Sequence, residues 1–563
     1  MINPAVYAVF ALLAGILIIR SFYGFCQSDE SFYAATAGRF AAGDLVFVDE
    51  WHPTQLAALI TAPFYLLYTR VTGGTAGILL YFRILYVIFT TAEAVWVYAL
   101  IKEKKGKIPA FALSVFLMLY CHLNIATLSY YTLCFHFFVL SMTVLYGVNN
   151  IAGYILGGVF FALSVLSLPS LAAGYMISML ILLFTCIFLP DLRRPLVCFT
   201  AGIGIPLLLF IIYLYASGNS IAGLLANLPN ILSDSEHDRG WVESVKVFFR
   251  AISDVFGRVY YLSIVMVILA MLSYVNSELK KHIAPYLLLA DVLMFIYYFA
   301  IGCNNTGFMN TAFALFVFPL FFLTEKKNWF VFLTFFLGGL AVSMTYSLSS
   351  FCDLYVLSIG HGISAAGGLL LFWDFLLETG EKAEKRGIKN VWKLLAIIPA
   401  VFLAVTLILR ILYVYRDDRL TELTARLDKG PAAGLYTSYE HKKQYDSLCG
   451  SILKYDTEGR GGVLFTRLLP WGYTAGNSRV LACDTWRHSI SDERLIRYYE
   501  SHALPDVVYV LDAEVASYES SGDVEADPAP NVNELEGTLA DRLKAEYDIY
   551  NEEYCTVYVR RGQ

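Results

Sequence analysis

The apolar residues of this chain fall into blocks of about 17–24, the length at which a helix crosses a bilayer. Membrane spans are expected near 4–22, 78–101, 108–125, 130–147, 152–168, 171–189, 196–216, 259–276, 283–301, 309–323, 329–346, 354–377 and 391–414. The stretch 56–69 is apolar but short and contains Pro63, so it reads as re-entrant or interfacial. The overall balance agrees. Of 563 residues 58% are hydrophobic and only 16% charged, against about a quarter charged in soluble domains. The fold class is therefore a polytopic α-helical membrane protein of about thirteen transmembrane helices. Residues 1–22 lack a basic leader and a small-residue cleavage site, and read as a retained first span. The net charge of -6 gives no reason to expect nucleic acid.

The connectors sort by charge. Lys102, Lys104, Lys105 and Lys107, then Arg193 and Arg194, Lys280 and Lys281, Lys326 and Lys327, and Lys382, Lys385, Arg386 and Lys389 all fall on one side. That side also carries the N-terminus, and the positive-inside rule makes it cytoplasmic. Outside lie the loops 23–77 and 217–258 and the tail 415–563, an arrangement suited to a plasma-membrane protein. Residues 1–414 then form a transmembrane module and 415–563 an extracytoplasmic domain. The tail alternates short apolar runs (462–465, 507–510, 555–559) with helical stretches (444–455, 492–502, 532–547), an α/β pattern. The segment 517–530 is polar and contains proline, which suits a loop. Its three cysteines, Cys449, Cys483 and Cys555, allow at most one disulfide.

The loop after the first span is unusual for so apolar a chain. It reads SDESFYAATAGRFAAGDLVFVDEWHPTQL over 28–56, with Asp29, Glu30, Asp49 and Glu50, then His52 and Pro53. A carboxylate at the interface can act as a general base toward a hydroxyl or amine. Asp29 and Glu30 can equally be a solvated acidic turn that caps the helix beginning near Phe32. Asp49, Glu50 and His52 offer oxygen and nitrogen donors within four positions. With His237 and Asp238 they can hold a divalent metal ion, or they can form a hydrated polar loop. Arg83, Arg250 and Arg258 lie near the outer ends of spans, where a guanidinium can fork onto phosphate oxygens or snorkel to headgroups. Glu93 and Asp291 lie within spans, where acids need a partner or a cavity; Glu93 favours structural pairing. His122 and His136 read as polar contacts between helices. Asn304 opens a glycosylation sequon hemmed in by spans.

Taken together, a first span, Asp29-Glu30, Tyr33 on an amphipathic helix, the turn Ala42-Gly43-Asp44 and the element Trp51-His52-Pro53 resemble the first outer loop of GT-C-type integral membrane glycosyltransferases. This is the class of the protein O-mannosyltransferases and the aminoarabinose transferase of lipid A. The motif likeness covers residues 1–70, and the rest is similar in layout. Lys-Pro-Pro is usual in the aminoarabinose branch, whereas His52-Pro53-Thr54 stands here. The resemblance implies transfer of a sugar from a polyprenyl-phosphate donor held among membrane lipid to an extracytoplasmic acceptor: a lipid, a cell-wall glycan or a protein. It implies Asp29 as catalytic base supported by Glu30, Arg83, Arg258 and Arg250 on the donor phosphate, and Tyr33, Trp51 and Pro53 in the substrate cavity. A membrane transporter, or a non-catalytic component of polysaccharide assembly or export, is the alternative.

Overall fold

The computed structural model describes residues 4–232, 240–302, 306–349, 356–385, 395–456, 461–466, 469–486, 492–512, 515 and 538–562. Among the described residues nine helices are long and apolar enough to cross a membrane. They cover the expected segments from 78–101 through 354–377, except 108–125 and 152–168. The other expected spans form apolar helices of 13–17 residues: α1 (Pro4–Arg20), Lys107–Leu119, Ile151–Ser167 and Ile397–Leu412. The segment expected over 108–125 stops at Leu119, because Tyr120 and Cys121 are extended and Leu123 and Asn124 have positive φ. Pro63 does not break its segment, which is one helix, α3 (Leu56–Thr72). Between α1 and α3 runs α2 (Asp29–Ala41), expected to be amphipathic but buried on nearly every side, and α4 (Ile78–Lys105) follows.

The helices sort into centre and rim. Thr306–Leu323 and Ser358–Lys382 are mostly buried, whereas Leu171–Phe188 and Pro190–Ala216 leave Leu180, Ile187, Phe188 and Leu208 exposed. An apolar surface of that extent belongs in lipid. Close helix contacts use small residues, as they do in membranes. A Cβ on Gly158 would strike the Phe199 carbonyl, and one on Gly202 the Ile155 carbonyl. Gly360 meets Gly339 and Ser343 in the same way.

Among the described residues, Lys105, Lys280, Lys327 and Lys382 of the basic connectors gather at one end. Lys105 pairs with Asp374 at 2.5 Å, and Lys382 with Glu325 and Glu378 at 2.7 Å. At the other end α1 closes against the helix Ile397–Leu412, and the chain beyond 412 folds onto the loop after α1. Strands β1 (Ala425–Arg426) and β2 (Tyr436–Thr437) pair antiparallel. Residues 22–24 join them: Gly24 donates to the Tyr436 carbonyl and Tyr436 to that of Phe22. Gly24 holds φ +88°, and a Cβ there would sit 2.8 Å from Val414, so only glycine fits. A four-stranded mixed sheet follows, in order β3 (Val463–Phe465), β4 (Val507–Leu511), β6 (Cys555–Arg560), β5 (Tyr547–Asn551). β3 runs parallel to β4, and β6 antiparallel to both neighbours. Three expected strands thus appear in place. The helix expected over 532–547 is described over Thr538–Glu546, and β5 follows it where no strand was expected. Cys449, Cys483 and Cys555 are buried, and none of them pairs with another in a disulfide. The loop 517–530, Asp238, Asn304 and Asn305 lie outside the described residues.

Candidate functional site

Two constellations occupy the end where the tail meets the first loop. The first surrounds Arg39, in the last turn of α2. Its Nε donates to Asp44 at 2.7 Å and its Nη1 to Glu50 at 2.7 Å and to the Ala482 carbonyl at 3.0 Å. Nη2 donates to the Asp49 carbonyl at 2.5 Å. Glu50 also accepts from the Thr485 hydroxyl at 2.5 Å and from the His52 amide at 3.0 Å. Asp44 takes Arg479 at 2.9 Å on its other oxygen. Asp49 lies 2.9 Å from His502 Nε2 and accepts from the Leu45 amide at 2.6 Å. Burial pushes the Asp49 carboxyl up, but the hydrogen bonds from His502 and Leu45 and the charge of Arg479 together hold it below its ordinary value. Trp51 donates its amide to the Cys483 carbonyl at 2.6 Å and packs its ring on Tyr498. The residues 44–51 therefore form a clasp that holds the tail.

This arrangement bears on the metal expectation. Asp49 and Glu50 spend their oxygens on Arg39, Arg479, Thr485 and His502. His52 points Nδ1 at the Thr54 hydroxyl, 2.8 Å away, and rests on the Phe32 ring. His237 lies outside the described residues. Among the described residues the three donors that do converge are Asp417, Asp418 and His441. Even there Asp417 is held by the Phe25 amide at 2.6 Å, the Thr437 hydroxyl and His441 Nδ1 at 2.6 Å.

The second constellation follows α1. Asp29 opens α2 and is half-buried. Its Oδ2 accepts from the Tyr415 hydroxyl at 2.9 Å and lies 2.7 Å from Arg416 Nη1. Both partners sit on one oxygen. Glu30 is buried and clamped by Arg83, whose Nε and Nη2 each reach it at 2.5 Å. The remaining Arg83 donors meet the carbonyls of Ser21 and Gly24 at 2.8 Å. Arg83 and Glu30 thus form one closed pair, separate from Asp29. Tyr33 is buried against Tyr130. Trp51 belongs to the clasp, and Pro53 is half-buried beside it. Arg250 and Arg258 are exposed, the former 3.9 Å from Glu243.

Between these groups lies a cavity lined by Arg20, Arg83 and Arg410, with Glu30, Cys26, Asn124, Tyr415 and the chain at 21–24. Neither Arg20 nor Arg410 was singled out by the sequence reading, which followed the loops. Their signal was a breach of pattern: each is an arginine at the end of a span opposite the basic connectors. Deeper among the helices Glu93 and His136 are buried 2.5 Å apart, off the line of a hydrogen bond, and His136 Nε2 lies 3.1 Å from the Tyr86 hydroxyl. His122 stacks on Tyr131 without a hydrogen bond from either nitrogen. Asp291 is buried, with one oxygen unpartnered. In comparison with known proteins, no family model and no curated protein matches this chain.

Proposed function

We propose that the protein is a membrane glycosyltransferase of GT-C type, moving a sugar from a polyprenyl-phosphate donor to an acceptor outside the cytoplasm. The observation that carries the reading is Asp29. It is an acid at the head of α2, following the apolar helix α1 and held on one oxygen by Tyr415 and Arg416, and its neighbours Glu30 and Tyr415 line an arginine-rich cavity. In this reading Oδ1 takes the proton of the acceptor hydroxyl or amine as that atom attacks the anomeric carbon. The carbon–oxygen bond to the donor breaks, and the lipid phosphate leaves with the electron pair. Fixed cations beside the leaving oxygen stabilise the charge that develops there. Glu30 serves indirectly, by fixing Arg83.

Asp29→Asn keeps shape and hydrogen bonding but removes the base. Transfer of sugar from a polyprenyl-phosphate donor should fall by about 10²–10⁴-fold in a protein that melts normally. Near-normal transfer by that variant would remove Asp29 from the chemistry. If Glu30→Gln were equally silent, the transporter or assembly-component reading would replace the transferase.

A further inference from the structure

The cavity beside Glu30 carries an unbalanced charge. Its lining holds three guanidiniums, Arg20, Arg83 and Arg410, against one carboxylate, Glu30, a balance of +2. All three arginines are more than nine-tenths buried. Counting outward through Arg416, Asp29 and Asp417 still leaves +1. Asp417 is already engaged by Phe25, Thr437 and His441. Arg83 is satisfied by Glu30. Arg20 is spent on helix ends, donating to the carbonyls of Ile411 at 2.7 Å, Tyr413 at 2.8 Å and Tyr23 at 2.6 Å. These carbonyls satisfy its hydrogens but do not cancel its charge. Arg410 is 2% exposed and donates from Nη1 to Asn124 Oδ1 at 2.7 Å, while its Nε has no partner. Buried charge without a counter-charge is costly, and so is a buried donor without an acceptor.

We propose that this cavity is an anion site that takes a phosphate group, with Arg410 and Arg20 as its charge and the unpartnered Arg410 Nε as one donor. An arginine fork suits phosphate oxygens, and the two side chains come from the same ends of α1 and Ile397–Leu412. The enclosed room there is only about 20 Å³, about that of one water, so a phosphate group would seat at the open mouth, where the space between atoms widens to ≈ 360 Å³. In assigning the leaving phosphate of the transfer to these residues, the proposal rests on the reading above. The charge imbalance itself does not.

The full chain in detergent or nanodiscs is titrated with a polyprenyl monophosphate, with the matching uncharged polyprenol and with inorganic phosphate, and melting is followed. The polyprenyl phosphate should stabilise the wild type well beyond the polyprenol. Stabilisation by inorganic phosphate alone assigns the site to free phosphate, and stabilisation by the lipid alone assigns it to a headgroup. If the charged lipid does no more than polyprenol, and inorganic phosphate does nothing, the site does not exist. Arg410→Gln should weaken phosphate binding at least tenfold while the ligand-free protein melts no lower than wild type, since a buried unpaired charge has gone. Arg410→Lys should retain part of the binding, and Lys281→Ala, at the other end, should bind as wild type. Loss of ligand-free stability with unchanged affinity in Arg410→Gln would assign Arg410 to structure and overturn the proposal. Phosphate binding that depends on Arg410 in a protein whose Asp29→Asn variant still transfers sugar would sink the catalytic reading and leave the site standing.

Discussion

The two ends of the helix bundle solve the same electrostatic problem differently. At the basic end, ion pairs such as Lys382–Glu325 and Lys281–Glu278 are exposed, and water shares the work of solvating them. At the opposite end Arg39, Asp44 and Glu50 are sealed from solvent, so each charge depends wholly on its protein partners. Exposed pairs contribute little and break harmlessly, whereas removing one member of a buried set strands the others. The tail is therefore tied to the loop by a connection that is specific and brittle, whereas the exposed pairs of the basic end are individually dispensable.

The largest effect should come from Arg39→Met. It leaves Asp44 and Glu50 without their shared cation and should cost about 3–5 kcal/mol, read as a marked fall in melting temperature and early proteolysis between the loop and the tail. A melting temperature close to wild type would mean that the clasp is solvated after all. Next comes helix packing. Gly158→Val places side-chain atoms against the Phe199 carbonyl and should cost about 1–3 kcal/mol, unless the helices separate and the bundle loosens measurably.

The two ends should also diverge with pH. The Asp49 carboxyl is held below its ordinary value in the fold, so its contribution is complete above that value and disappears as pH falls through the lowered one. Acid below about pH 4 should loosen the clasp, followed by fluorescence of Trp51 and Trp486, and His502→Gln should move that loosening to higher pH. At the basic end, burial and then Lys280 bring Lys327 down to about 8. The folded form disfavours its charge, so stability should rise as pH climbs from about 8 toward the ordinary lysine value. Lys327→Met should flatten that rise, and an unchanged slope would remove Lys327 as its source. The smallest effect is expected from Lys382→Ala, below about 1 kcal/mol by thermal melting.

Much of the fold was legible because lipid imposes a length on apolar segments. Nine expected spans reappear as long apolar helices, and Val463–Phe465, Val507–Leu511 and Cys555–Arg560 lie where short apolar runs stood. The early end of Lys107–Leu119 was not legible, since Cys121–Ile125 is apolar enough to continue a helix and only its backbone departs from one. For the site, the acid-rich loop was visible but its partners were not. Asp49 meets His502 and Glu50 meets Thr485, more than 430 positions away, and no local pattern encodes such a pairing. Arg39 looked like the polar face of an amphipathic helix, because small alanines around it conceal how deeply it is enclosed.

The closure of residues 22–51 on 413–502 also sets an order of events during synthesis. The loop leaves the ribosome with the first span, yet Arg479, Thr485 and His502 are made only after the last. Until then Asp44, Asp49 and Glu50 have Arg39 alone for company, and Asp29 lacks Tyr415 and Arg416. A chain interrupted just after residue 412 can insert all its apolar helices and still have no assembled centre. The last quarter of the polypeptide thus supplies the partners that the first loop lacks, so that the loop's buried charges are fully paired only in finished molecules.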